Sequence, residues 1–133
     1  MAVKFALLDT DGIRRKIASL QRELPDEVGR AIRAEAEIEA TECKRRTPVD
    51  TGNLRATIHV EGPFTENDGS VSTAIVAGGP AADYAIHVHE DLDAYHRVGQ
   101  AKFIEAPLRE SAPFLPGRIA ARLRRRLLEK VSK

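Results

Sequence analysis

The sequence predicts an α+β domain in which a long N-terminal helix and a C-terminal helix pack on a small antiparallel β-sheet. Three observations predict it. Apolar residues recur at helical spacing before Thr47 and again after Leu115. Between them lie two short runs of strand character, Leu54 to Val60 and Ser70 to Ala77. Turn formers separate these blocks, most densely from Thr47 to Asn53. A length of 133 residues suits one domain, 1–133, with a single core.

Val3, Phe5 and Leu7 alternate and suggest a short strand able to add to a sheet edge. Asp9, Thr10 and Asp11 offer N-caps, because their side-chain oxygens can accept the free first-turn N–H groups. Ile13, Ile17, Leu20 and Leu24 form one helical stripe. Pro25 interrupts it and suits the first turn of a new helix, where a missing N–H costs nothing. Val28, Ile32, Ala36, Ala40 and Cys43 continue the pattern over a helix 26–46. Past Ile32 the stripe is made of small residues, which suits close packing on a sheet. Thr47 ends it, because Pro48 disfavours a helical residue before it.

Leu54, Ala56, Ile58 and Val60 alternate with polar residues, the pattern of a half-buried strand. Gly62 to Gly69 then connects to an antiparallel partner over Ser70 to Ala77, which Gly78-Gly79-Pro80 ends. Tyr84, Ile86 and Val88 fit a third strand, with a short helix after Ala82 as the competing reading. Asp91 to Gly99 reads as a loop. Phe103, Ile104 and Leu108 start a helix that Pro113 and Pro116 disturb. Leu115, Ile119, Leu123, Leu127 and Val131 then repeat at four, with Arg118, Arg122 and Arg125 on the other side.

Composition excludes several classes. No run of ~18 apolar residues is present, so a membrane-spanning helix is not expected. Met1 to Leu8 lacks the basic start and apolar stretch of a secretory signal. Cys43 is the single cysteine, which rules out an internal disulfide and a multi-cysteine zinc site and fits a reducing cytoplasm. Lys plus Arg is 21 against 20 Asp plus Glu, a net charge of +1. Whole-chain charge therefore gives no nucleic-acid affinity, and position matters instead.

The charges are segregated. Glu23, Asp26, Glu27, Glu35, Glu37, Glu39 and Glu42 crowd one helix, with Glu35, Glu39 and Glu42 along one edge. From Arg118 to Lys133 only Glu129 opposes seven cations. Three readings stand open: two solvated faces, a pairing within one subunit or between neighbouring copies, and a phosphate-binding arm. The last lacks interleaved aromatics.

His87, His89, Glu90, Asp91, Asp93 and His96 are the one cluster with metal-ligand chemistry. Their spacing matches no zinc signature, and a polar strand end running into an acidic loop explains them as well. No Gly-rich phosphate loop or nucleophile elbow is present. Cys43 sits among carboxylates that raise a thiol pKa and suppress its reactivity. No catalytic residue, cofactor or metal is expected.

Three stretches carry a resemblance. Arg45 to Ile58, containing TPVDTGNLRATI, resembles a motif of the neck or tail-completion proteins of long-tailed bacteriophages, a head–tail joining and minor-capsid-type family. Tyr84 to Glu90 resembles that family's YA-x-x-V-x-E segment, and Gly99 to Leu108 is similar to its G-Q-x-K-F-L-x-x-P-L segment. Pro113 and Pro116 depart from its uninterrupted last helix. Pro48, Asp50, Thr51 and Gly52 read as a fold-signature turn: proline breaks the helix, Asp50 and Thr51 bond nearby N–H groups, and Gly52 permits a positive φ.

The resemblance implies a virion structural protein, assembled in the host cytoplasm, that joins head and tail around the DNA channel. It implies a ring of like subunits, a hexamer favoured and a dodecamer possible. Implied partners are portal, adaptor or head-closure proteins on one side and tail terminator or tail tube proteins on the other. Genomic DNA in the channel is a further contact, and no membrane is involved. The alternative is a minor capsid or decoration protein on the head. A small His-based metal-binding protein or enzyme is the reading from a different class. Arg118, Arg122 and Arg125, with Glu35, Glu39 and Glu42, are the candidate inter-subunit residues.

Overall fold

The computed structural model describes residues 10–48, 52–78, 85–92 and 99–132. The Val3–Phe5–Leu7 strand expectation lies outside them, as do Asp9, Asp50, Thr51, Tyr84, Asp93 and His96. The elements are helix α1 (Thr10–Arg46), helix α2 (Asn53–Thr57), strands β1 (His59–Thr65) and β2 (Val71–Val76), and helices α3 (Ala85–Glu90), α4 (Glu105–Ser111) and α5 (Leu115–Ser132). The class is α+β, as the sequence predicts, and the structure is mostly helical.

Helix α1 is the spine. Its 37 residues pass through Pro25 without a break, which corrects the expectation of two helices. Proline removes one N–H, and the carbonyl it would have bonded belongs to Gln21. Both residues are exposed, so water can take that carbonyl. The sheet packs on one side of α1 and α5 on another. The small stripe does what its volumes suggest: Ala40 and Cys43 are buried beneath β1 and the segments after it. Gly29 extends the stripe, since a Cβ there would lie 2.8 Å from the Pro63 ring.

The sheet is a two-stranded antiparallel hairpin. Pairing runs His59↔Val76, Val60↔Ile75 and Glu61↔Ala74, then shifts to Phe64↔Ser72 and Thr65↔Val71. Gly62 and Pro63 occupy the bulge, where proline's lack of a ladder donor does no harm. The Arg33 guanidinium donates to the Gly62 carbonyl and ties the bulge to α1.

Two strand expectations are corrected. Asn53–Thr57 is a helical turn, and the strand begins only at His59. Ala85–Glu90 is a helix, the competing reading at that segment. Ala85 is buried and Val88 half-buried while Ile86 is 61% exposed, so the inner face follows helical spacing. Pro113 and Pro116 do divide the C-terminal region, into α4 and α5 joined at residues 112–114.

The three motif segments meet at the C-terminus of α1, where a helix leaves carbonyls without intrahelical donors. Thr47, fully buried, donates its hydroxyl to the Cys43 carbonyl at 2.6 Å and its N–H to Lys44 at 3.2 Å. Gln100 N–H donates to the Arg46 carbonyl at 2.8 Å, and Arg55 reaches the Thr47 carbonyl at 3.4 Å. Phe103, which has no exposed surface, fills the core beside Cys43, Leu54 and Ile58. His89 sets its ring edge-on to Phe103, centroids 5.1 Å apart. These segments are physically one knot.

Candidate assembly face

Helix α5 lies along α1 through a row of ion pairs. Arg118 meets Glu39 at 3.7 Å and Arg122 meets Glu35 at 2.6 Å. One turn further on, Arg126 grips Glu27 with two nitrogens at 2.9 and 3.3 Å. Lys130 bonds Glu23 at 2.6 Å and approaches Glu27 at 3.4 Å. The acids stand on α1 and the cations on α5, so the helices run antiparallel. Buried Ala31 occupies the position between Glu27 and Glu35, where no acid is needed.

Burial makes this row more than surface decoration. Glu27 is only 1% exposed, and Glu35 and Glu39 are 4% exposed. A buried carboxylate is costly unless it is paired, so each of these acids requires its cation. Glu27 receives a third hydrogen bond, from Arg30 at 2.7 Å. The hydrogen bonds from Arg126, opposed by burial, hold its carboxyl down at about 2, and Lys130 lowers that of Glu23.

The sign of the pH effect follows. Both folded pKa values lie below the ordinary carboxylate value of 4.5, so the unfolded chain takes up protons first as pH falls. The seam's contribution is full above about 4.5 and declines as pH drops towards about 2. Urea midpoints measured between pH 7 and pH 2.5 are expected to fall in that window. A Glu23→Gln, Glu27→Gln variant should show a shallower fall, and an unchanged slope would disprove the assignment.

The sequence-predicted interface residues therefore divide. Arg118 and Arg122 meet Glu39 and Glu35 of the same chain, the within-subunit form of pairing. Glu42 is held on its own helix by Arg45 at 2.5 Å and Arg46 at 2.8 Å. Arg46 also pairs with Glu110 of α4 at 2.5 Å. Arg125 is exposed and makes no ion pair with a described residue. Sequence reading picks Arg125 where the structure uses Arg126 and Lys130. Four-residue spacing, unbroken over Arg118, Arg122, Arg126 and Lys130 and with one step skipped at Ala31 among Glu23, Glu27, Glu35 and Glu39, is the signal that finds them.

Of the histidine cluster, His89 and Glu90 come together, and Glu105 of α4, outside the predicted set, joins them. His87 is exposed in α3 and Asp91 lies beyond it. The groups that converge are already engaged. Lys102 sends its ammonium to Glu90 and, at 3.2 Å, to Glu105. His89 places Nδ1 2.8 Å from Glu90, and its Nε2 accepts the Glu105 N–H at 3.2 Å. The lysine is the cation of this cluster. Cys43 is buried, and burial, reinforced by the charge of Glu39, pushes its thiol up to about 11. That is the opposite of an activated nucleophile.

Of the signature turn, Pro48 lies two residues beyond α1, after Thr47, and Gly52 has φ +83°, with its carbonyl accepting the Ala56 N–H at 3.0 Å. No described helix is long and apolar enough to cross a membrane.

A family profile described as "Bacteriophage HK97-gp10, putative tail-component" matches residues 11–106, well over half of the chain. The matched span includes all of the knot at the end of α1 and stops early in α4, leaving α5 outside. Comparison with curated proteins returned no match, and comparison with solved structures returned none.

Proposed function

The chain belongs to the HK97-gp10-like family of bacteriophage tail components, and from that premise we propose that it completes the tail at the head–tail junction. Family membership makes it a phage structural protein. The finer reading is a subunit of a ring around the DNA channel, a hexamer before a dodecamer. Its neighbours are portal-side or head-closure proteins above and tail terminator or tail tube proteins below. It acts by binding, without a catalytic step, cofactor or metal. The engaged state of His89, Lys102 and Glu90 and the raised Cys43 thiol support that part.

The observation that carries the reading is the extent of the family match, which spans the spine, the hairpin and the knot that joins them. A minor capsid or decoration role is the competing outcome. Cryo-EM of virions carrying a tagged copy of this chain decides between them. A closed ring of tag density at the neck is expected, and particles lacking the chain should accumulate as separate heads and tails. Tag density spread over the shell, or one or two copies per particle, would overturn the neck assignment.

A further inference from the structure

We propose that neighbouring subunits join by seating the β-hairpin tip of one copy on an outward apolar strip of α5 in the next. The inference rests on the ring reading above and names the contact that builds it.

The strip is formed by Leu123, Leu127, Leu128 and Val131, with Arg124 among its lining residues. Leu128 is 59% and Val131 57% exposed, and α5 has no buried residue at all. The described residues leave this strip uncovered. A contiguous apolar strip on a small protein marks a contact surface.

Charge says what covers it. Arg124 lines the strip and Arg125 follows it, and neither makes an ion pair with a described residue. The acids nearest along the seam, Glu23 and Glu27, are held by Lys130 and Arg126. The strip is thus apolar, and its border is cationic on balance, with Arg124 and Arg125 against exposed Glu129. The hairpin tip is its complement. Phe64 stands 47% exposed at the end of β1, accompanied by exposed Glu61, Glu66 and Asp68. Asp68 accepts the Ser70 N–H at 2.9 Å and its hydroxyl at 2.6 Å. These bonds order the turn that carries the acids.

An aromatic knob with acidic neighbours matches an aliphatic strip with basic ones. The two patches are different parts of one chain, so the contact is head-to-tail and repeats from copy to copy. Such contacts close into rings when the rotation permits.

Disulfide trapping on the full-length chain tests this. Phe64→Cys and Leu128→Cys are made separately and together, and both sites are exposed enough to leave the fold intact, checked by circular dichroism. Under mild oxidation, mixing the two single variants should give a linked dimer that neither gives alone. The double variant should give a ladder of linked multimers whose yield rises with concentration. Arg124→Glu with Arg125→Glu should slow linking several-fold, and adding Glu61→Lys with Glu66→Lys should restore it. Equal dimer yield from Leu128→Cys alone would overturn the proposal in favour of an α5–α5 pair. Loss of both introduced thiols of the double variant at monomer mass would also overturn it. Native mass spectrometry of the unsubstituted chain separates the two levels. Rings without linking sink this contact and leave the ring standing, whereas neither rings nor linking sinks both.

Discussion

Phe103→Ala is expected to lose about 3–5 kcal/mol of folding stability, the range for emptying a buried aromatic site. Phe103 has no exposed surface and sits in the cluster of Ala40, Cys43, Leu54, Ile58, Val60 and Ala85. The surrounding residues cannot all move in to fill the space. Cys43 is fixed on α1, and the backbone just before Phe103 is bonded outward, Lys102 N–H to the His89 carbonyl at 2.7 Å. The ring is also the partner of the His89 edge, so its loss removes one of the contacts that hold α3. A domain of ordinary stability, about 5–15 kcal/mol, would keep little reserve. Urea unfolding checks this, and a loss under about 1 kcal/mol would show that the core collapses around the site.

Gly99→Ala is expected to cost about 2–5 kcal/mol by a different route. Gly99 has φ +86°, where an L side chain is disfavoured by about 1–2 kcal/mol. A Cβ there would also lie 2.5 Å from the Pro48 nitrogen and from the Thr47 carbonyl group. Those are backbone atoms at the end of α1 and cannot swing aside as a side chain would, which adds about 1–3 kcal/mol of overpacking. Gly69→Ala is the control. Its φ is +87°, but nothing lies within 4 Å of its added Cβ. Thermal or urea unfolding of the two variants separates strain from collision. Equal losses would mean that the approach of Gly99 to Thr47 is not tight in solution.

The sequence made the two long helices, the hairpin partner strand and the break at Pro48 legible, because periodicity and proline act locally. It misled where one pattern satisfies two periods. Leu54, Ala56, Ile58 and Val60 alternate, yet Leu54 and Ile58 are also four apart, so a helical turn buries the same pair. Ala56 is exposed, which strict alternation forbids. At 84–88 the alternating pair includes Ile86, an apolar residue the fold leaves outside. The charge row was half legible. Segregation into an acidic and a basic helix is visible in the chain, but burial is not, and burial makes Glu27 a residue that must be paired. The outward strip of α5 was hidden for a related reason. Leu115, Ile119, Leu123 and Leu127 form one stripe on paper. In the fold its first half meets the body of the protein, and its second half, joined by Leu128, turns towards solvent.

The seam has a consequence for how the chain is made. Glu23 waits for Lys130, which lies 107 positions later. At roughly 5–20 residues per second of synthesis, the first half of α1 is out for about 5–20 s before its partner exists. During that time its acids need no cations, because water solvates them. Arg30 and Glu27, and Arg33 and Glu37, can already support the helix from within. The carboxylates become a liability only once they are covered, and α5 is the element that brings the cations. For Glu27, whose partners from outside α1 are Arg126 and Lys130, docking of the helix and neutralising of the acid are therefore one event.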